Sequence, residues 1–253
     1  MAHPLRVTVA DIYRAHERIL PYIHKTPVFT NATYDKKIGR NAFFKAENLQ
    51  KTGAFKVRGA LNATLSLKEK NPDVKGVMDA IRGYGSDLVL CEPTPDARQA
   101  ACDKVAKERG YHFVPPYDHH DVIAGQGTIA VEFLEQVPDL DAILVPVSGG
   151  GMTSGIAIAA KAIKPEIKVF MVEPEGKNAE ESLRAGERLW PNPPRFINTI
   201  ADAIRLQQLG HVTWPILLEL AEKDVFSVKD EEIIEGMKFA FQRMKGNFET
   251  YGM

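Results

Sequence analysis

A lysine amine attacks an aldehyde only when it has lost its proton, and burial among apolar neighbours favours that loss by penalising the ammonium. Lys56 stands in such company. In Thr52-Gly53-Ala54-Phe55-Lys56-Val57-Arg58-Gly59-Ala60 it follows Phe55, precedes Val57 and lies between two glycines, as though carried into an interior. The chemistry that placement suggests is imine formation. A single lysine is ordinarily a solvated surface residue, so the reading requires a second feature.

That feature is the stretch Ile143-Leu144-Val145-Pro146-Val147 running into Ser148-Gly149-Gly150-Gly151-Met152-Thr153-Ser154-Gly155. The apolar stretch has the length and β-branched content of a strand, and Ile156 to Ile163 reads as a helix that stops before Pro165. A glycine-rich turn between a strand and a helix start presents unpaired backbone N–H groups and the positive end of the helix dipole, and glycines let an anion reach the bare backbone. It is a candidate phosphate cup; a tight turn with no ligand is the alternative. The run lacks the Gly-Lys-Ser/Thr ending of a P-loop, and it fits G-x-G-x-x-G only at Gly149 and Gly151, with Ser154 in the last place. Glu173, after the strand Val169 to Val172, would then serve as the ribose-binding acid of a dinucleotide site. An NAD-dependent oxidoreductase is therefore the rival reading, and it gives Lys56 no role.

An imine-forming lysine together with a phosphate cup matches pyridoxal phosphate, which carries an aldehyde at one end and a phosphate on a short arm. The residues also resemble a family. Gln50 to Ala60 is similar to the cofactor-lysine motif of the serine racemase and threonine dehydratase family of fold-type II pyridoxal-phosphate enzymes, with Ala54 where a serine is usual. Ser148-Gly149-Gly150-Gly151-Met152 resembles its phosphate loop, and Val122 to Thr128 and Thr199 to Asp202 also look like family sequence. The likeness runs from about Val7 to Lys245 and is nearer to the eukaryotic serine racemases than to bacterial dehydratases. It implies an α/β fold of the tryptophan synthase beta type with mostly parallel sheets. It further implies Lys56 as catalytic residue, cofactor contacts from Phe55, Lys56 and Ser148 to Met152, and racemisation and β-elimination of serine and threonine by a homodimer.

Further ligands follow from the same resemblance. Glu173 and Ala179 fall where relatives hold Mg2+ or Ca2+, and a two-residue shift instead makes Ala179 a carbonyl donor and Glu181 the second acid; a solvated acidic loop is the alternative. Lys51, Thr52 and Tyr84 match positions that contact activating ATP. The likeness also has gaps. The family's Ser-Gly-Asn-His-Gly segment is absent, because Asn71 to Val77 passes directly into Met78 to Gly85, and beyond Lys245 the family pattern gives way. The expected architecture is thus a large cofactor domain, residues 1–66 and 115–253, and a remnant of a small mobile domain, 67–114. Both the small domain and the C-terminal region are incomplete, with impaired activity and poor soluble expression as consequences. A catalytically inactive subunit that pairs with a full-length homologue is a further reading.

The elements that must position these residues alternate between helix and strand along the chain, which is the pattern of a mostly parallel α/β sheet. Helices are expected from Val9 to about Ile19 with Thr8 as cap, Pro95 to Arg109, Ile123 to Val137, Val212 to Lys223 and Glu231 to Lys245. Strands are expected at Leu88 to Cys91, Tyr111 to Val114 and Val225 to Val228. With 253 residues and 44% apolar content the chain can bury a core, and a net charge of −1 offers no basic field to nucleic acid or membrane. Two cysteines without an apolar leader point to a reduced, cytoplasmic protein. Asp118-His119-His120-Asp121 has no metal-ligand spacing and reads as a surface loop.

Overall fold

Thr8 opens the first helix. Its hydroxyl accepts the Asp11 amide while the Asp11 carboxylate accepts the Thr8 amide, a reciprocal cap that satisfies two donors left over at a helix start. In the computed structural model, which describes residues 7–73, 77–78, 89, 91–92, 95–192 and 194–244, this begins α1 (Val9–Ile19). There follow β1 (Val28–Thr30), α2 (Ala32–Ile38), β2 (Phe43–Lys45), α3 (Lys56–Lys70), β3 (Val77–Met78), α4 (Pro95–Arg109) and β4 (His112–Phe113). The rest comprises α5 (His120–Gln136), β5 (Ala142–Pro146), α6 (Gly151–Ile163), β6 (Lys168–Pro174), α7 (Ala179–Ala185), α8 (Thr213–Leu220), β7 (Val225–Val228) and α9 (Asp230–Phe239).

The α/β fold with parallel strands is present. Strands β5, β6 and β7 form a parallel sheet in that order, with Ile143 opposite Val169 and Met171 opposite Val225. β3 and β4 pair in parallel, and β1 and β2 form an antiparallel pair. Parallel neighbours require crossovers, and α6 supplies the one from β5 to β6. The core centres on α5, whose residues from Val122 to Leu134 are all buried because α1, α3 and α6 pack around it. Ile143, Val145 and Val169 of the sheet close this core from one side.

Several boundaries differ from expectation for a local reason. α6 begins at Gly151 rather than Ile156, because Gly150 takes a left-handed cap conformation, φ 93°, and the next glycine is already helical. α5 begins at His120, and α7 has no counterpart among the expected helices. β1, α2 and β2 carry too few residues to show a hydrophobic period. Of the strand expected at Leu88 to Cys91, Leu88 and Leu90 lie outside the described residues, as does Lys245, the expected end of the last helix.

Candidate active site

Lys56 is the first residue of α3 and Gly151 the first of α6. Each helix meets α5 about one turn later, at glycines. A methyl group on Gly125 would lie 2.4 Å from the Arg58 carbonyl oxygen and 2.7 Å from the Gly59 Cα; one on Gly59 would lie 2.8 Å from a Val122 methyl. On the other side a methyl on Gly155 would lie 2.3 Å from the Ile123 carbonyl and 2.5 Å from the Gly127 nitrogen. Contacts so short leave no room for side chains, so both helices touch α5 backbone to backbone. The lysine's helix and the loop's helix therefore start within a turn of the same stretch of α5, residues 122–127.

Lys56 is half-buried, and its ammonium nitrogen lies 5.0 Å from the centre of the Phe55 ring, a cation–π contact within the motif. The fully buried cation of the motif is instead Arg58, at 0% exposure. Its guanidinium donates to Glu132 Oε1 at 2.7 Å and Oε2 at 3.0 Å and to both Glu47 oxygens at 2.8 Å. Lys45 completes the cluster, donating to Glu132 Oε2 at 2.7 Å and to the Thr26 carbonyl at 2.9 Å. Two cations and two carboxylates balance, which is the condition for keeping charge in an interior. Burial alone would push the Glu132 carboxyl up, but the hydrogen bonds and charges of Arg58 and Lys45 hold it below the usual 4.5. Burial pushes Lys45 down, partly offset by Glu132. This cluster ties β2, the turn at Glu47, α3 and α5 together two residues from Lys56.

The loop after β5 lies against the chain on every Cβ direction. A methyl on Gly149 would enter the Tyr117 ring at 2.3 Å, one on Gly150 would lie 2.8 Å from Leu217, and one on Gly151 would lie 2.7 Å from the Tyr117 carbonyl. Each glycine thus has a protein reason, which residue type alone does not reveal. The Gly149 carbonyl accepts the Thr213 hydroxyl at 2.7 Å and the Gly210 amide at 3.0 Å. A trans peptide sets N–H opposite C=O, so the Gly150 N–H is turned away from that contact. No side chain caps α6, and the hydroxyls of Thr153 and Ser154 in its first turn are buried without a hydrogen-bond partner among the described residues. An uncapped helix start beside two unpartnered hydroxyls fits an anionic group such as a phosphate. Asp118 caps the start of α8 by accepting the amides of His211, Val212 and Thr213. The four-residue stretch expected as a surface loop thus contributes Asp118 as a helix cap and His120 as the first residue of α5. Among the described residues no group of three or more His, Cys, Asp or Glu converges as a metal site.

Glu173, at the end of β6, is buried rather than solvated. Its carboxylate accepts the Ala179 N–H at 3.1 and 3.3 Å, so what Ala179 offers it is a donor. Lys177, at 0% exposure, donates to the carbonyls of Leu206 at 2.6 Å and Gln207 at 3.0 Å. Burial pushes the Glu173 carboxyl up to about 7 and the Lys177 ammonium down to about 7; against this, each charge favours the other's ionised form. Two acceptor-only carbonyls favour the ammonium, so the geometry supports a charged Lys177. A divalent cation expected at Glu173 and Ala179 does not fit a donor set in which an ammonium is already bound to carbonyls and the carboxylate faces an amide. Glu181 lies in the first turn of α7.

Of the residues expected to contact a nucleotide, Lys51 is exposed and Thr52 half-buried in the turn before α3, with the Thr52 hydroxyl donating to the Ala54 carbonyl at 3.1 Å. Tyr84 lies outside the described residues. Met152 is half-buried against the main core. Tyr117, Lys177, Thr213 and Arg188 were not singled out by residue type.

The family model described as pyridoxal-phosphate dependent enzyme matches residues 19–83 and 72–252, two stretches that overlap around the junction at Val77 and Met78. Serine racemase from Dictyostelium discoideum is 40% identical over 276 residues, 94% of this chain and 84% of that protein. The L-threo-3-hydroxyaspartate ammonia-lyase of Saccharomyces cerevisiae is 37% identical over 274 residues, 94% of this chain and 82% of that protein. Both alignments are longer than the 253 residues of this chain, so these relatives carry residues inside the matched region that have no counterpart here. A solved structure of a pyridoxal 5'-phosphate-dependent aspartate racemase is 48% identical, superposes with a TM-score of 0.94, and covers 98% of this chain and 88% of that one.

Proposed function

The chain belongs to the pyridoxal-phosphate dependent enzymes, and from that premise we propose that Lys56 anchors the aldehyde end of the cofactor while the loop from Ser148 to Met152 receives its phosphate. Bound there, the cofactor supplies an electron sink for the α-carbon of an amino acid. The observation that carries the reading is the pair of helix starts, Lys56 on α3 and the uncapped Gly151 on α6, each one turn from a glycine contact with residues 122–127 of α5. Phe55 flanks the amine, and Tyr117 and Thr213 hold the loop from behind.

The substrates in this reading are serine and threonine, and the reactions are racemisation and loss of the β-hydroxyl with release of ammonia. The Lys56 Nζ takes and returns the α-proton on its own face. Racemisation needs a second acid on the opposite face, and the family segment that would bring one has no counterpart between Asn71 and Gly85. Elimination therefore outlasts racemisation. The same reading takes the chain as a homodimer of the cytoplasm; among the described residues no helix is long and apolar enough to cross a membrane.

The test is a visible absorption band in the purified protein that borohydride bleaches and that Lys56→Ala lacks, followed by assays of ammonia release and of D-serine. A missing band overturns the site. A band with no turnover of serine or threonine favours an inactive subunit, and D-serine formation exceeding ammonia release overturns the order of the two reactions.

A further inference from the structure

The segment between β6 and α7 contains the one non-glycine residue with a positive φ among the described residues, Asn178 at 59°. Gly176, two residues earlier, is also left-handed, at 92°. L-residues avoid this region, Asn least among non-glycines, so the pair marks a backbone held in place by its surroundings. What it holds is Lys177 between them, turned inward to complete burial. The lysine is fixed at both ends. Its ammonium donates to the carbonyls of Leu206 and Gln207, and its own carbonyl accepts the Trp190 indole N–H at 2.7 Å. Glu173, held by the Ala179 amide, supplies the balancing negative charge.

A second cation continues the same line. Arg188 donates to the carbonyls of Leu209 at 2.7 Å and Gly210 at 3.0 Å and to the Gln208 side chain at 3.1 Å, with its guanidinium 5.4 Å from the Trp190 ring. Gly210 in turn donates to the Gly149 carbonyl. The backbone from Leu206 to Gly210 is thus gripped by two side-chain cations at its carbonyls and delivers its last amide to the glycine loop. We propose that Lys177 is a built-in cation, doing at the Leu206 and Gln207 carbonyls the work a bound divalent ion would do, with Glu173 as the nearby buried negative charge, so that the segment behind the glycine loop is organised without metal. Lys177 is a positioning residue: it acts on the loop through Leu206 to Gly210. The inference stands on the buried lysine, the left-handed residues on either side of it and its two carbonyl partners, and does not require the proposed amino-acid chemistry.

The test uses the purified full chain. Binding of Mn2+ is measured by equilibrium dialysis after treatment with EDTA, and thermal unfolding is followed with EDTA and with millimolar Mg2+, Ca2+ or Mn2+. The expected result is no stoichiometric Mn2+ and an unfolding midpoint unmoved by chelator or metal. Stoichiometric Mn2+, or a midpoint that rises with metal and falls with EDTA, overturns the proposal, since a ligand that binds only the folded state raises stability by mass action. Lys177→Ala frees two carbonyls and leaves Glu173 buried without a counter-charge. Its midpoint falls on the order of 10 °C and is partly restored by one of the three metals. A variant with the wild-type midpoint, or one that no metal restores, overturns the proposal. Should Lys177→Ala not fold, the wild-type dialysis decides alone. The Lys56 absorption band is recorded in parallel: its absence with metal-independent folding counts against the cofactor site and not against Lys177.

Discussion

Glu132→Gln removes one charge from the buried cluster behind Lys56 while keeping nearly the same shape. In the native protein Glu132 accepts two hydrogen bonds from Arg58 and one from Lys45, all at 3.0 Å or less. Arg58 and Lys45 would then share Glu47 alone, leaving one positive charge in excess where side chains are 0% and 5% exposed. Breaking a buried pair from one side costs about 3–5 kcal/mol, because the remaining charge is neither hydrated nor compensated. For a chain of this size each kcal/mol moves the unfolding midpoint by about 2–4 °C, so a fall on the order of 10 °C is expected. Urea unfolding of Glu132→Gln, Arg58→Met and the double variant completes the measurement. The double variant is expected to be more stable than the sum of the single losses predicts, with a coupling of about 2 kcal/mol. A single-variant loss under about 1 kcal/mol, or strictly additive losses, would refute the view that the cluster is held by mutual compensation.

Two further outcomes follow from the same geometry. The Glu132 carboxyl is held below its usual 4.5 in the fold, so its stabilising contribution is fully present above that value and is lost as pH falls through the lower folded-state value. The midpoint measured from about pH 6 to 3 should therefore decline on the acid side, less steeply in Glu132→Gln, and equal slopes in the two proteins would contradict the assignment. Gly125→Ala places a methyl 2.4 Å from the Arg58 carbonyl, against backbone that has little freedom to yield. A loss of about 3 kcal/mol is expected from overpacking, together with a weaker Lys56 absorption band; unchanged stability would show that α3 is not pinned there.

Lys56 and the loop from Ser148 to Met152 stand out in the sequence as candidates because the chemistry they suggest is carried by residue type and local order. The strand-turn-helix around the loop was equally legible, and only the start of α6 was misplaced, since glycines ordinarily punctuate helices and here one begins a helix. The reason for the three glycines was not legible. It lies in Tyr117, Thr213 and Leu217, which reach the loop from segments far along the chain. Arg58 was hidden in plain view inside the lysine motif: Phe55 and Val57 made the neighbouring lysine look interior, whereas the helix turns Arg58 inward to Glu47 and Glu132. Lys177 was missed because an acidic stretch from Glu173 to Glu181 resembles a solvated loop. The available signal was Gly176 and Asn178 on either side of it, the residue types that most readily adopt left-handed backbone.

The glycine contacts along α5 bear on how this protein can vary. Where helices are spaced by side chains, a change of one apolar residue for a larger one widens the gap and drags whatever the helices carry. At Gly59 with Gly125, and at Gly127 with Gly155, the spacing is the thickness of two backbones, a length that substitutions elsewhere in the core do not alter. The reach from the lysine to the glycine loop is therefore insulated from drift in the surrounding core, and a lineage could exchange most of its isoleucines, valines and leucines while keeping the same gauge between amine and anion site.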